Sequence, residues 1–115
     1  MYMYKMEIVI DREILEKDGW DFDYSIDVLC AGLKKAGFNE EVNENGRLLF
    51  AGTNSNKDLA YMGLVAESLV KQEWFKKCCK KWVLLSDIKS EDGSFHIIGD
   101  WIKTYKKYRK WWKLY

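Results

Sequence analysis

The side chains that could act as nucleophiles, bases or metal ligands are few and scattered along this sequence. The 115 residues include three cysteines, Cys30, Cys78 and Cys79, and a single histidine, His96. A thiol beside an imidazole can form a nucleophile and its base, but cysteines near a helix end are more often packing residues. One histidine without a nearby cysteine pattern does not form a usual zinc site, and the glycines form no phosphate-binding motif. We therefore expect a protein that is not an enzyme and that holds no metal or cofactor.

Acidic and aromatic side chains are interleaved in DREILEKDGWDFDYSID, residues 11–27. Calcium-binding loops require the spacing D-x-D-x-D-G followed by a distal glutamate, and this segment does not satisfy it. Two interpretations are open: a solvated acidic loop, and a contact surface for a protein partner. Carboxylates along a loop can occupy the positions that phosphates take on a basic nucleic-acid-binding surface. The candidate partner-binding residues are Asp18, Trp20, Asp21, Phe22 and Asp23.

The C-terminal segment DWIKTYKKYRKWWKLY, residues 100–115, combines aromatic residues with lysines. Five rings recur at steps of four and three residues, which puts them on one face of a helix, and the lysines lie around the opposite side. These rings are Trp101, Tyr105, Tyr108, Trp112 and Tyr115. The preferred interpretation is that the rings pack on the protein's own sheet and cover a face that would otherwise stay open.

The same helix has three other possible roles, which are nucleic-acid binding, membrane-surface binding and contact with a partner protein. A nucleic-acid site would place lysines on phosphates and stack aromatic rings on bases, which requires both sets on the same side. Here they point in opposite directions, so this role is the alternative. Its candidate residues are Lys103, Lys106, Lys107, Arg109, Lys110 and Lys113.

The apolar spacing predicts which elements position these segments. Residues 4–10 alternate as a half-buried strand, and the acidic segment that follows is expected to be a long connection. A helix should begin at Asp23 or Ser25 and end before Gly37, and Asn45–Gly46 predicts a tight hairpin. A second helix should begin with a capping box at Ser55 and extend to about residue 79. Two further strands, 82–88 and 95–98, precede the terminal helix, which Asp100 can cap.

This order predicts a ferredoxin-like βαββαβ sandwich of the α+β class, with an added C-terminal strand and an amphipathic C-terminal helix. Because the sequence contains no repeat or linker, residues 1–115 are interpreted as one domain. The two main helices would cover one sheet face and leave the other partly open. The second helix carries apolar residues off its main stripe, so we expect two neighbours, or a neighbour and a partner, to contact it; a homodimer is possible.

Charge and composition limit the functional classes further. The net charge is +1, but residues 1–60 have 12 acidic and 7 basic side chains (−5) whereas residues 61–115 have 6 and 12 (+6). No apolar run is long enough to span a membrane, and the N-terminus lacks the features of a signal peptide. The odd number of cysteines favours a reducing, cytoplasmic setting. Sixteen lysines against three arginines suit an A/T-rich coding genome, such as those of many bacteria and phages.

The leading hypothesis is a non-enzymatic intracellular protein that binds another macromolecule, as a small inhibitor or adaptor from a bacterium or its phage. Anti-CRISPR-type inhibitors are the most specific example of this group. The expected partner is another protein, one with a basic nucleic-acid-binding surface. The alternative is a nucleic-acid-binding module that uses the lysine-rich C-terminal helix.

Overall fold

Five strands form one antiparallel sheet in the order β2-β3-β1-β4-β5. The computed structural model describes residues 3–107. The strands are β1 (Tyr4–Ile10), β2 (Asn39–Glu44), β3 (Arg47–Ala51), β4 (Cys79–Ser86) and β5 (His96–Asp100). The helices are α1 (Arg12–Lys17), α2 (Phe22–Lys35), α3 (Asp58–Val70), α4 (Glu73–Cys78) and α5 (Trp101–Lys107). The predicted α+β class is therefore confirmed.

The core lies between one face of the sheet and helices α2 and α3. Along β1 the side chains of Met6, Ile8 and Ile10 are fully buried, as the alternating pattern predicted. Ile8 pairs with Leu48 on β3 and with Trp82 on β4, so the three central strands present one continuous apolar face. Helices α2 and α3 add their own buried stripes to the same cluster.

The hairpin between β2 and β3 follows the predicted turn. Asn45 and Gly46 both adopt positive φ, at 50° and 88°, which is the backbone of a type I′ turn. A side chain at Gly46 would also collide with the Ile10 carbonyl oxygen, 2.6 Å from an ideal Cβ. This glycine is therefore required by both the turn and the close approach of β1.

The prediction of a long acidic connection is wrong, because residues 12–17 form α1. The Asp11 carboxylate accepts a hydrogen bond from the Ile14 N–H, and the Asp21 carboxylate accepts one from the Tyr24 N–H. Aspartate oxygens in these positions satisfy N–H groups that the first turn of a helix leaves unpaired. Asp21, not Asp23 or Ser25, is thus the N-cap of α2.

The predicted long second helix is also interrupted: α3 ends at Val70, α4 begins at Glu73, and Cys79 starts β4. Eleven residues separate Leu64 from Phe75, about three helical turns, so an unbroken helix would point Phe75 to the same side as the exposed Leu64. The break instead buries Phe75 completely, with its ring edge-on to Trp82 at 5.0 Å. Burial of this large ring accounts for the interruption.

The start of α3 depends on the buried carboxylate of Asp58. Its oxygens accept hydrogen bonds from the Thr53 hydroxyl at 2.6 Å and from the Ser55 N–H at 3.1 Å. One hydrogen bond of the predicted capping box is therefore present, the one from the Ser55 N–H to the Asp58 carboxylate. The Ser55 hydroxyl accepts a hydrogen bond from the Lys57 N–H instead of the Asp58 N–H. Burial alone would raise the pKa of Asp58, but these hydrogen bonds outweigh it and lower the pKa.

Helix α5 packs on the core face of the sheet, next to α3. The Trp101 ring stacks on Trp82 at 5.1 Å, and Tyr105 is buried against the same cluster. The expectation that this helix covers the opposite, open face is therefore wrong for residues 101–107. Because the buried Trp82 of β4 is on the core face, the rings of Trp101 and Tyr105 extend the existing core instead.

Candidate protein-binding surface

The predicted partner-binding residues lie where α1 turns into α2. Gly19, with a φ of +85°, allows the chain to reverse between the two helices. Trp20, Asp21, Phe22 and Asp23 then surround a shallow depression of about 210 Å³, together with Arg12 and Glu16 of α1. The structure thus brings four of the five predicted residues to one place.

Three residues of the predicted set have structural roles. Asp18 accepts a hydrogen bond from the Lys77 ammonium at 2.9 Å, which ties the end of α1 to α4. Asp21 caps α2, as described above. Phe22 is only 8% exposed and belongs to the core, with the Arg12 guanidinium 4.5 Å above its ring. Trp20 and Asp23 remain as the exposed members of the set that have no such structural role among the described residues.

Two exposed side chains that were not among the predicted site residues extend this surface along α2. Tyr24 is 69% exposed and Val28 is 50% exposed, and their spacing of four residues puts them on one side of the helix. Asp23 and Asp27 have the same spacing and run beside them. A helical wheel drawn from Asp21 instead of Ser25 would have found this stripe. We call Trp20, Asp23, Tyr24, Asp27 and Val28 the acidic–aromatic surface.

The carboxylates of this surface are not neutralised within the described residues. Asp23 and Asp27 are exposed and make no side-chain hydrogen bond or ion pair with another residue in the range 3–107. The pKa of Arg12 is raised, chiefly by its hydrogen bond to Glu16, and the negative charge of Asp23 makes a smaller contribution to the same shift. Two exposed aromatic rings, Trp20 and Tyr24, therefore stand beside negative charge that no described cation compensates by contact.

An apolar groove continues from this surface between α2 and α3. It has a volume of about 270 Å³, and its walls include Val28 and Gly32 from α2 and Val65 and Leu69 from α3. Beyond the groove, α3 exposes the side chains of Tyr61 and Leu64, which were predicted to lie off its main stripe. It also exposes Leu59, which was predicted to lie on the main stripe.

The residues proposed for nucleic-acid binding lie partly outside the described range. Lys103 is exposed on α5, and Lys106 and Lys107 belong to the same helix. Arg109, Lys110 and Lys113, together with the last three rings of the predicted stripe, fall outside residues 3–107. Of the two described rings, Tyr105 is buried in the core, and Trp101 is partly buried and stacks on Trp82. Burial raises the pKa of Tyr105.

The open face of the sheet is built around an ion-pair network. Glu7, at the centre of β1, accepts hydrogen bonds from Arg47 on β3 and Lys81 on β4, each at 2.7 Å. Burial would raise the pKa of Glu7, but these two partners together lower it. The described side chains that β1, β3 and β4 present on this face are not aromatic, but the Phe95 ring lies beside it, 4.3 Å from the Lys5 ammonium.

The three cysteines are buried in environments that do not activate a thiol. Burial raises the pKa of Cys30 to about 11 and that of Cys79 to about 12, and it also raises the pKa of Cys78. The thiolate is the reactive form, so all three thiols are held in the unreactive state at neutral pH. His96 is exposed at the start of β5. Within residues 3–107, no three His, Cys, Asp or Glu side chains cluster closely enough to hold a metal ion.

None of the helices in the described range is long and apolar enough to cross a membrane.

Comparison with known proteins gives no relative from which a function could be transferred. No protein-family model, curated protein or solved structure matches this chain.

Proposed function

We propose that this protein acts by binding another protein, as a small inhibitor or adaptor, through the acidic–aromatic surface. One observation carries the proposal: the rings of Trp20 and Tyr24, 48% and 69% exposed, stand beside the carboxylates of Asp23 and Asp27, which form no ion pair with another residue in the range 3–107. Trp and Tyr are enriched at the energetic centres of protein interfaces, where they contribute large contact areas. The three free cysteines support a reducing, cytoplasmic setting for this function.

The charge of the surface defines the class of partner. Exposed carboxylates beside exposed rings are complementary to a protein surface that carries lysines or arginines, and the attraction accelerates the encounter. Arginine on the partner would also stack on Trp20 or Tyr24. We therefore propose a basic partner surface, such as one that otherwise binds nucleic acid.

The structure changes which variants test this proposal. Charge reversal at Asp18 or Asp21 would break the Lys77 ion pair or the α2 cap, so lost binding could reflect a damaged fold. Tyr24→Ala and Trp20→Ala remove exposed rings and leave those contacts intact. Tyr61→Ala is a matched control, because Tyr61 is also half exposed but lies on α3, outside the surface.

The experiment is capture of a partner from a nuclease-treated lysate of the native host, followed by affinity measurements with the purified partner. We expect Tyr24→Ala to weaken binding roughly ten-fold or more, the effect of about 1.4 kcal/mol, and Tyr61→Ala to change it by less than about two-fold. Wild-type affinity for Tyr24→Ala and Trp20→Ala would refute the proposal. Capture that disappears after nuclease treatment would favour the nucleic-acid alternative.

We also propose that strands β1–β4 with α2 and α3 form a ferredoxin-like sandwich, to which β5 and α5 are added. The proposal is supported by the pairing of β3 with both β1 and β2, which makes β1 and β2 parallel strands separated by a third, as in a split β-α-β unit. Nuclear Overhauser contacts between Glu7 and both Leu49 and Val83 test the central pairing. Their absence would contradict it.

A further inference from the structure

The outward face of α2 carries a stripe of exposed side chains. Tyr24, Val28, Ala31 and Lys35 recur at steps of four, three and four residues, which places them on the side of the helix away from its buried residues. Gly32 lies beside the stripe, and an added Cβ there would meet no atom within 4 Å. The middle of the stripe is therefore small and apolar, with a ring at one end and an ammonium group at the other.

The charges along this face change sign from one end of α2 to the other. Asp23 and Asp27 flank the first half, and Lys34 and Lys35 lie at the end of the second half. Asp23, Asp27 and Lys35 form no ion pair with another residue in the range 3–107. Lys34 contacts Glu40 at 3.5 Å, and 56% of its side chain is exposed. A helix with this charge pattern is complementary to a second copy of itself that runs in the opposite direction.

We infer that α2 packs antiparallel on α2 of a second copy of this chain, about a two-fold axis that passes between positions 29 and 30. Val28 then lies opposite Ala31 of the second copy, and the missing side chain at Gly32 leaves room for the valine. Tyr24 lies opposite Lys35 of the second copy, whose ammonium group can lie over the ring. The small residues at the centre allow the two helices to approach closely.

The charges select this register. With a rise of 1.5 Å per residue, Lys34 of the second copy lies about 3 Å along the helix axis from both Asp23 and Asp27. A slide of one turn in one direction would instead bring the two copies of Asp27 level with each other. The same slide in the other direction would carry Tyr24 past the end of the second helix, and a parallel arrangement would put acids opposite acids.

This contact uses side chains of the acidic–aromatic surface. Lysines of the second copy occupy the positions proposed for basic groups of a partner, so self-association and partner binding exclude each other. Because the purified chain alone tests self-association, the result does not depend on whether the proposed function is correct. One helix face gives an interface at the small end of the range for specific contacts, so we expect the dimer to be weak.

Sedimentation equilibrium of the purified chain, at concentrations up to about 1 mM, measures this association. We expect the mass of the wild type to rise towards twice the 13.7 kDa chain mass. Asp23→Lys/Asp27→Lys and Lys34→Glu/Lys35→Glu should each be monomeric, because each places like charges opposite each other at both ends of the contact. Glu44→Lys/Glu91→Lys reverses two exposed acids elsewhere and should leave the dimer intact.

A mixture of the two monomeric variants tests the register through rescue. In the mixed dimer every reversed charge faces an opposite charge again, so an equimolar mixture should associate as the wild type does. A monomeric wild type, an aspartate variant that dimerises alone, or a mixture that stays monomeric would overturn the inference. If the lysine variant fails to fold by circular dichroism, the wild type, the aspartate variant and the control still decide.

Discussion

The same substitution, glycine to alanine, should have opposite effects on stability at two positions in this protein. At Gly52 an added Cβ would lie 2.5 Å from Oδ2 and 2.9 Å from Cγ of the buried Asp58, and 3.2 Å from the Tyr4 carbonyl oxygen. At Gly32, in the middle of α2, an added Cβ would meet no atom within 4 Å. The new methyl group is therefore crowded at one position and open at the other, and only Gly32 lies in a helix.

The expected magnitudes follow from these contacts. Gly52→Ala must displace the Asp58 carboxylate and weaken its hydrogen bonds to Thr53 and Ser55, at a cost of about 3 kcal/mol. Gly32→Ala should stabilise the protein by roughly 0.5–1 kcal/mol, because alanine restricts the unfolded chain and favours the helix. The two free energies of unfolding should thus differ by about 4 kcal/mol.

Urea denaturation followed by circular dichroism measures both values. A double-mutant cycle with Asp58→Ala identifies the cause, since Gly52→Ala should cost less once the carboxylate is gone. A Gly52→Ala protein as stable as the wild type would refute the close packing of Gly52 on Asp58. A destabilised Gly32→Ala would show that the α2–α3 groove is not open at this position.

Three further predictions separate structural from surface roles. Phe22→Ala should destabilise the protein by about 3–4 kcal/mol, whereas Trp20→Ala should change its stability by less than about 0.5 kcal/mol in the same urea assay. The Asp58 carboxylate has a lowered pKa, so its contribution is present above the ordinary value of 3.8 and is lost as the pH falls below it; acid titration of Asp58→Asn should lack this loss. Trp101→Ala should cost about 3 kcal/mol by removing the ring that stacks on Trp82, and unchanged stability would contradict core packing of α5.

Local patterns predicted those parts of the fold that depend on neighbouring residues. The alternation in residues 4–10 identified β1 and its buried face, because a strand with one buried face repeats every two residues. Asn45–Gly46 predicted the hairpin, since few other pairs adopt two positive φ angles in succession. Asp100 was correctly expected to cap the last helix.

Features that depend on tertiary contacts were missed. The break between α3 and α4 has no proline or glycine to mark it, and arises because Phe75 reaches Trp82 only when the helix is interrupted. The placement of α5 on the core face likewise depends on its contact with Trp82. The sequence pattern around Trp82 predicts a buried strand, but it does not show which helix packs on that strand. The sequence identified the acidic segment as the candidate site. It did not show that Asp11 and Asp21 cap helices, because the existence of α1 and the true start of α2 were not predicted.

The central claim is that Asp23 and Asp27, with the rings beside them, bind a basic protein partner. The most direct measurement compares the dissociation constant of the captured partner for Asp23→Lys/Asp27→Lys with that for a control double reversal of exposed acids elsewhere, Glu44→Lys/Glu91→Lys. We predict that reversal on the surface weakens binding by roughly a hundred-fold, about 2.7 kcal/mol, and that the control changes it by less than about three-fold. Equal effects of the two double variants would contradict the claim.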